Sequence, residues 1–395
     1  MCRLPVASLF ICFWLVERSH CNGSLQDNMR ELHSRFAVSL YQTLTETENN
    51  SNLIMSPASV SLSLALLQLG ARGNTLAQLE GTLGYNVNAQ VQDFLLHSQG
   101  DMSNTSQGMW LQQTCTLFIQ SGVQLLSEFT QNAAAWANTS VVRANFSQPN
   151  HSRSQPEQAG HNHGEAQAEA LWWGNRLQVA LVNTVAFRGV WQKQFLFTNT
   201  QNLPFILSDG SPIKVPMMYQ AAEVSFQFRT GSDQRYTVLE LPFLGRSLSL
   251  QVVLPSERKT PLSSLESQLT ARHLASWDTG LRRTKMDIFL PFRMQNKFNL
   301  RSVLPAMGIS DAFNPTAADF TGISEEGLYV SDAFHEVRIE VTEDGTKAAA
   351  ATMVLLKRSR APVFKADRPF LFLLRQVNTS ILFMGRVMNP ADQAP

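Results

Sequence analysis

The sequence predicts a mixed α/β fold with several sheets, built as one large domain. Three observations carry this. Apolar residues recur at steps of three and four through the first 80 residues, the spacing of helices laid on a core. The second half instead carries alternating or continuous apolar runs bounded by Gly, Pro and Asn, the mark of strands. No internal repeat divides the 395 residues. Hydrophobic residues make up 44% and charged residues 16%, ample material for a core of that size. A formal net charge of +1 argues against nucleic acid as a partner, because phosphate binding needs concentrated Lys and Arg.

Residues 1–21 read as a secretory signal: Arg3 is followed by an apolar run from Leu4 to Val16, too short to span a bilayer comfortably, and then by polar Glu17–His20. Residues 22–395 form the single domain. Its first helix follows Leu25, Met29, Leu32, Phe36, Leu40 and Leu44, and the polar run Glu46–Asn52 ends it. A second helix starts at Ser56-Pro57, since Ser caps free N–H groups and Pro fits the first helical turn, and it stops at Gly70. A third begins near Asn74-Thr75. Cys115–Ile119 is strand-like and leads into a helix. Arg235–Leu254 reads as a hairpin turning near Gly245-Arg246, and Phe370–Leu374 with Ile381–Val387 as another.

Residues 147–168 are rich in Ser, Gln, Pro, Asn, His and Gly without apolar period, so they read as an atypical polar loop. His151, His161 and His163 lie in it and read as solvated side chains, not metal ligands. No cofactor or metal is expected. Cys2 and Cys12 sit in the signal and Cys21 at its edge, which leaves Cys115 and no disulfide framework. Seven N-x-S/T sequons, at Asn22, Asn49, Asn104, Asn138, Asn145, Asn150 and Asn378, agree with a glycosylated, extracellular surface. No membrane partner is expected.

The segment NLIMSPASVSLSLALLQLGARGNTLAQL (52–79) resembles the opening signature of the serpin family of serine protease inhibitors. ALVNTVAFRGVWQKQF (180–195), VPMMYQ (215–220), LELPFLGRSLSLQVVLP (239–255), ADFTGIS (318–324), HEVRIEVTEDGTKAAAAT (335–352) and DRPFLF…ILFMGRVMNP (367–390) follow in the family's order. The last segments are most similar to its plasminogen-activator-inhibitor branch, clade E. The resemblance implies three β-sheets, about nine helices and an exposed reactive-centre loop, here 343–362. It also implies a mechanism. A protease attacks the loop and forms an acyl-enzyme; the cleaved loop enters the largest sheet as a strand; the protease is distorted before deacylation. The implied partner is a trypsin-like serine protease held covalently by a monomeric, secreted, non-enzymatic protein.

The loop is consistent with that role on its own residues. Gly345 supplies a bend. From Thr346 on, Thr346, Ala348, Ala350, Thr352, Val354 and Leu356 share one face of a strand, while Lys347 and Lys357 take the other. The same alanines also suit a helix, which is the competing reading. Lys357-Arg358-Ser359-Arg360 is bait for an S1 pocket with a carboxylate at its base. Counting back from Pro369 by the family's spacing gives Arg358-Ser359. Counting forward from Gly345 gives Ser359-Arg360. Arg358 is preferred, with Arg360-Ala361 the alternative.

By resemblance, Glu343, Gly345, Thr346 and Ala348, Ala349, Ala350 and Ala351 form the hinge. Ser56, Ser59, Asn183 and His335 match a polar shutter beneath the large sheet, and Trp191 the breach where the loop first enters. Two departures stand out. The family's partner to Glu343 is a Lys after Leu-Pro, where this chain has Phe292 and Arg293. The helix across the front of the large sheet should lie where the polar stretch 147–168 stands. A non-inhibitory carrier, chaperone or signalling ligand is the alternative function; the hinge, free of proline and bulky residues, speaks against it. A hydrolase lacks support, with no G-x-S-x-G, H-E-x-x-H or phosphate-binding loop. Glycosaminoglycan binding is not expected: no Lys or Arg occurs from Gly73 to Val142, and Arg282, Arg283 and Lys285 read as a solvated edge.

Overall fold

A computed structural model describes residues 6–48, 50–88, 90–93, 95, 110–136, 139–144, 179–230, 235–256, 260–291, 294–341, 361–376 and 380–393. Helix α1 runs Val6–Thr47, so the helix expected from Leu25 extends back to Val6. Its periodic positions Met29, Phe36, Leu40 and Leu44 are buried. Helices α2 (Pro57–Gly70), α3 (Gly73–Leu83) and α4 (Ser127–Ala134) follow. The short helices α5 (Leu262–Ser267), α6 (Ala271–Ser276) and α7 (Val303–Ala306) lie in the second half. Helix α2 begins as its sequence dictates: the Ser56 hydroxyl accepts the Ser59 N–H and Pro57 stands in the first turn. Nearly every residue of α2 is buried, the condition of a helix that is apolar all round. Among the described residues no helix is long and apolar enough to cross a membrane.

Five strands form one sheet in the order β10-β11-β4-β2-β3: Met294–Asn299, Val330–Val341, Val179–Gly189, Trp110–Gln120 and Thr139–Ala144. The others are joined in the order β1-β14-β13-β8-β7-β6-β9-β12, with β5 also on β6. Their spans are β1 Leu53–Met55, β5 Gln201–Ile206, β6 Pro212–Thr230, β7 Arg235–Pro242, β8 Leu248–Pro255, β9 Arg282–Leu290, β12 Val363–Lys365, β13 Phe370–Gln376 and β14 Ile381–Val387. The 19-residue β6 explains why two of the three implied sheets run together. Its residues 212–217 pair with β5, 218–226 with β9 and 225–230 with β7. Both expected hairpins form, β7–β8 and β13–β14. Gly245 and Arg246 turn the first with left-handed φ of 79° and 58°.

One core cluster fills the space among α1, α2 and the neighbouring helices and strands. A second lies between the two sheets and includes Phe187, Trp191, Phe243, Leu250, Phe372 and Phe383.

Candidate functional site: the seam between β4 and β11

Strands β4 and β11 run parallel at the centre of the five-stranded sheet, in register from Val330 opposite Val179 to Val341 opposite Gly189, with one shift between Val330 and Asp332. Asn183 stands opposite His335 across this seam and opposite Cys115 on β2. The three side chains thus form a row over the N-terminus of α2. All three are 2% exposed or less, as are Ser56, Ser59 and Ser63.

The row is fully hydrogen-bonded. The Ser56 backbone N–H donates to His335 Nε2 at 2.9 Å. Nε2 is therefore the unprotonated nitrogen, so Nδ1–H donates to Asn183 Oδ1 at 2.8 Å. The Ser59 hydroxyl donates to the same Oδ1 at 2.7 Å. Asn183 Nδ2 donates to Ser63 Oγ at 2.7 Å and to Ser59 O at 3.1 Å. Both acceptor sites and both protons of the amide are used, which fixes its orientation. Ser63 Oγ lies 3.2 Å from Cys115 Sγ and donates to Ser59 O at 3.0 Å. Burial lowers the His335 pKa to about 3, so the ring is neutral at physiological pH.

Cys, His and Asn are the residue types of a thiol hydrolase, but this geometry cannot act as one. The thiol meets Ser63 rather than the imidazole, and burial pushes its pKa up to about 11, so no thiolate forms at neutral pH. What the arrangement can do is hold. It ties β4, β11 and the start of α2 together with short polar contacts, and such contacts can be exchanged for others where an apolar seam would have to be exposed.

Sequence reasoning named Ser56, Ser59, Asn183 and His335, which the structure brings into one hydrogen-bonded row. It missed Ser63 and Cys115. The signal was present for Ser63, since positions 56, 59 and 63 share one helical face. Cys115 had none beyond its place in an alternating strand.

Trp191 lies just past the end of β4. It stacks on Phe243, centroids 4.6 Å apart and planes at 9°, and meets Phe195 edge-on at 5.4 Å. Gly189 allows this approach: a Cβ there would stand 2.4 Å from the Phe243 ring and 2.8 Å from Phe187. Opposite Gly189 stands Val341, the last described residue before the hinge. The aromatic stack therefore closes the Gly189–Val341 end of the seam.

Several expected features lie outside the described residues. These are Glu343, Gly345, Thr346 and the alanines 348–351, the bait Arg358, Ser359 and Arg360, Phe292 and Arg293, and the polar stretch 147–168 with its histidines. So do six sequon asparagines; Asn22 lies within α1. Beyond the bait, Ala361 leads into β12, and Pro362 O accepts the Asp287 N–H at 3.0 Å.

Known proteins share this architecture. Residues 31–390 match the family model described as serpin (serine protease inhibitor). The chain is 61% identical to probable serpin E3 of Danio rerio, over 99% of this chain and all of that one. It is 32% identical to human neuroserpin over 90% of each chain, and 32% identical to bovine plasminogen activator inhibitor 1 over 92% of this chain and 93% of that one. Among solved structures, native protease nexin-1 with heparin superposes with a TM-score of 0.81 at 27% identity, covering 92% of this chain and 99% of that one. The family model spans residues 31–390, and the chain belongs to the serpin family.

Proposed function

We propose that the protein is a secreted inhibitor of trypsin-like serine proteases that works as a suicide substrate. The observation that carries this is the seam. β4 and β11 meet as a parallel pair, and the chain leaves β11 directly into the small-residue hinge. A strand returning from that hinge would run antiparallel to β11 and to β4 alike. It would replace one parallel pairing by two antiparallel ones, the slightly more stable kind. Thr346–Leu356 spans eleven residues, the length of β4.

The chemistry follows from the bait. The serine of the protease attacks the Arg358 carbonyl carbon, the bond to the Ser359 nitrogen breaks, and that nitrogen leaves with a proton supplied by the protease's histidine. Arg358 remains as an ester on the enzyme. Residues upstream of it then enter the seam, the shutter contacts exchange, and the attached protease is displaced before water can release it. The signal-like residues 1–21 and the seven sequons support an extracellular, glycosylated protein.

Incubation with a panel of trypsin-like proteases tests the reading. A complex that survives boiling in detergent, with the released C-terminal peptide beginning at Ser359, is the expected result. A peptide beginning at Ala361 moves the reactive residue to Arg360. Clean cleavage without any complex assigns the protein to the non-inhibitory members of its family.

A further inference from the structure

The seam has two faces. The inner one carries the buried row of Asn183 and His335. On the outer one, strand alternation and register set Ala180 opposite Asp332, Val182 opposite Phe334, Thr184 opposite Glu336, Ala186 opposite Arg338 and Arg188 opposite Glu340. Among these rows only the last joins opposite charges across the seam. Arg188 and Glu340 are both exposed, and they stand one residue before Gly189 and Val341, at the end where the chain leaves β11 for the hinge. The other charges on the outer face of β11 have neighbours away from the seam. Asp332 accepts from Asn299 at 3.0 Å and lies 3.8 Å from Arg301; Glu336 stands opposite Lys297 of β10; Arg338 lies between Glu336 and Glu340 on its own strand. On the far side of Arg188 stands Trp110, the first residue of β2 and 48% exposed. An aromatic ring, a guanidinium and a carboxylate thus follow one another across three strands.

We propose that this row is an ionic clasp over the entrance of the seam, with Arg188 and Glu340 as its charges and Trp110 as their brace, and that it sets how fast the seam opens to admit a strand. Its bearing on inhibition rests on the reading above; its bearing on opening does not. Adjacent strands lie about 4.8 Å apart, so opposite charges facing each other on one side of a sheet attract while the seam is closed. A strand placed between them doubles the spacing to about 10 Å, the Debye length at about 0.1 M salt, and the attraction is screened. The clasp therefore favours the closed seam over the filled one. An exposed pair is weak in equilibrium stability. Its leverage is kinetic: this end must part first, and the trapped fraction of protease depends on insertion outrunning release by water. Trp110 offers a ring face on which a guanidinium can rest, which keeps that side chain beside the seam.

The test uses the full-length protein with Arg188→Glu, Glu340→Arg, both together, and Trp110→Ala. Hydrogen exchange of the β4 and β11 backbone amides reads opening of the seam in the intact protein, and the stoichiometry of inhibition with trypsin reads insertion. At low salt each single reversal should speed exchange at the Gly189–Val341 end by roughly two- to tenfold. The double reversal should bring it back toward the wild-type rate, and the differences should fade at about 0.5 M salt. Trp110→Ala should give a smaller gain with the same salt dependence. The single reversals should also lower the number of inhibitor molecules consumed per protease trapped. Exchange that neither reversal changes, or that the double reversal fails to rescue, overturns the clasp and leaves the inhibitory reading intact. Rescued exchange in a protein that forms no covalent complex with any protease supports the clasp and overturns that reading.

Discussion

The two sheets are held together by opposite means. In β8, β13 and β14 every residue but Gln376 is buried, and the faces read Leu, Val, Phe and Met almost without interruption. Where charge enters that half it is locked. Arg386 donates to both carboxylate oxygens of Glu266, at 3.1 and 3.2 Å, and to the Ser51 and Glu48 carbonyls, while Tyr41 donates to Glu266 at 2.6 Å. The β4–β11 seam instead has a neutral histidine, an amide and three hydroxyl groups at its centre. An apolar seam can separate only by wetting or emptying its core; a seam of neutral hydrogen bonds can separate if new partners arrive. On the proposed mechanism one sheet stays closed and the other is re-paired.

The strongest way to break this comparison is to cut the loop. Cleavage on the C-terminal side of Leu356, up to the Arg358-Ser359 bond, should free residues 346–356 to enter the seam. Val354 and Leu356 would become buried, each worth roughly 1.5–3 kcal/mol, and a new hydrogen-bonded ladder would form on both sides. The cleaved protein should therefore melt well above the intact one by calorimetry. Thr346→Arg should abolish the difference and turn the inhibitor into a substrate, because an unpaired guanidinium would have to be buried. Intact and cleaved forms that melt together would refute insertion.

Next in size is the closed half. Arg386→Ala leaves the Glu266 carboxylate buried with Tyr41 as its remaining side-chain donor, and should cost about 3–5 kcal/mol in denaturant unfolding. The intact and cleaved forms should lose stability alike, since this pair lies away from the seam. A loss confined to the intact form would show that the two halves are coupled.

Which of these features the sequence could announce depends on how local they are. The start of α2 was legible because Ser56 and Pro57 cap a helix through neighbours in the chain, and the Gly245-Arg246 turn for the same reason. The apolar runs of β8, β13 and β14 announced strands. The seam was not legible from pattern: Asn183 and His335 meet across 152 residues, and only the family resemblance brought them together. Nor could pattern say which histidine nitrogen carries the proton, because that depends on the Ser56 N–H arriving from a third element. The shared β6 escaped because a 19-residue strand serving three partners reads as two strands in sequence.

A smaller effect separates the halves by pH. His335 is buried and His33 half-buried, and both have lowered pKa values; the His33 ring meets Ile381 O at 3.1 Å near Arg375. Above about pH 6.5 neither the folded nor the unfolded chain protonates them, and stability is independent of both. As pH falls below that value the unfolded chain binds protons that the folded state refuses. Stability should then decline, for His335 by about 1.4 kcal/mol per pH unit and down to about pH 3. His335→Gln should flatten the slope of urea midpoints between pH 6.5 and 5. An unchanged slope would mean that His335 is reached by water.

The smallest effect is the most specific. Ser63 and Ser61 lie on the same buried helix, and both hydroxyls bond back to α2 carbonyls, Ser59 O and Ala58 O. Ser63 alone of the two also accepts the Asn183 amide. Replacing either by Ala removes a back-bond and improves helix propensity by a few tenths of a kcal/mol. Ser61→Ala should therefore be neutral or slightly stabilising. Ser63→Ala also leaves one buried amide proton of Asn183 without its acceptor, so it should cost about 1 kcal/mol net. It should also hasten spontaneous insertion, because one of the contacts that must be given up is already gone. In a double-mutant cycle with Asn183→Ala the cost of Ser63→Ala should disappear. Equal effects at the two serines would mean that the seam is held by helix packing, and the polar row would lose its claim to be the element that lets the sheet part.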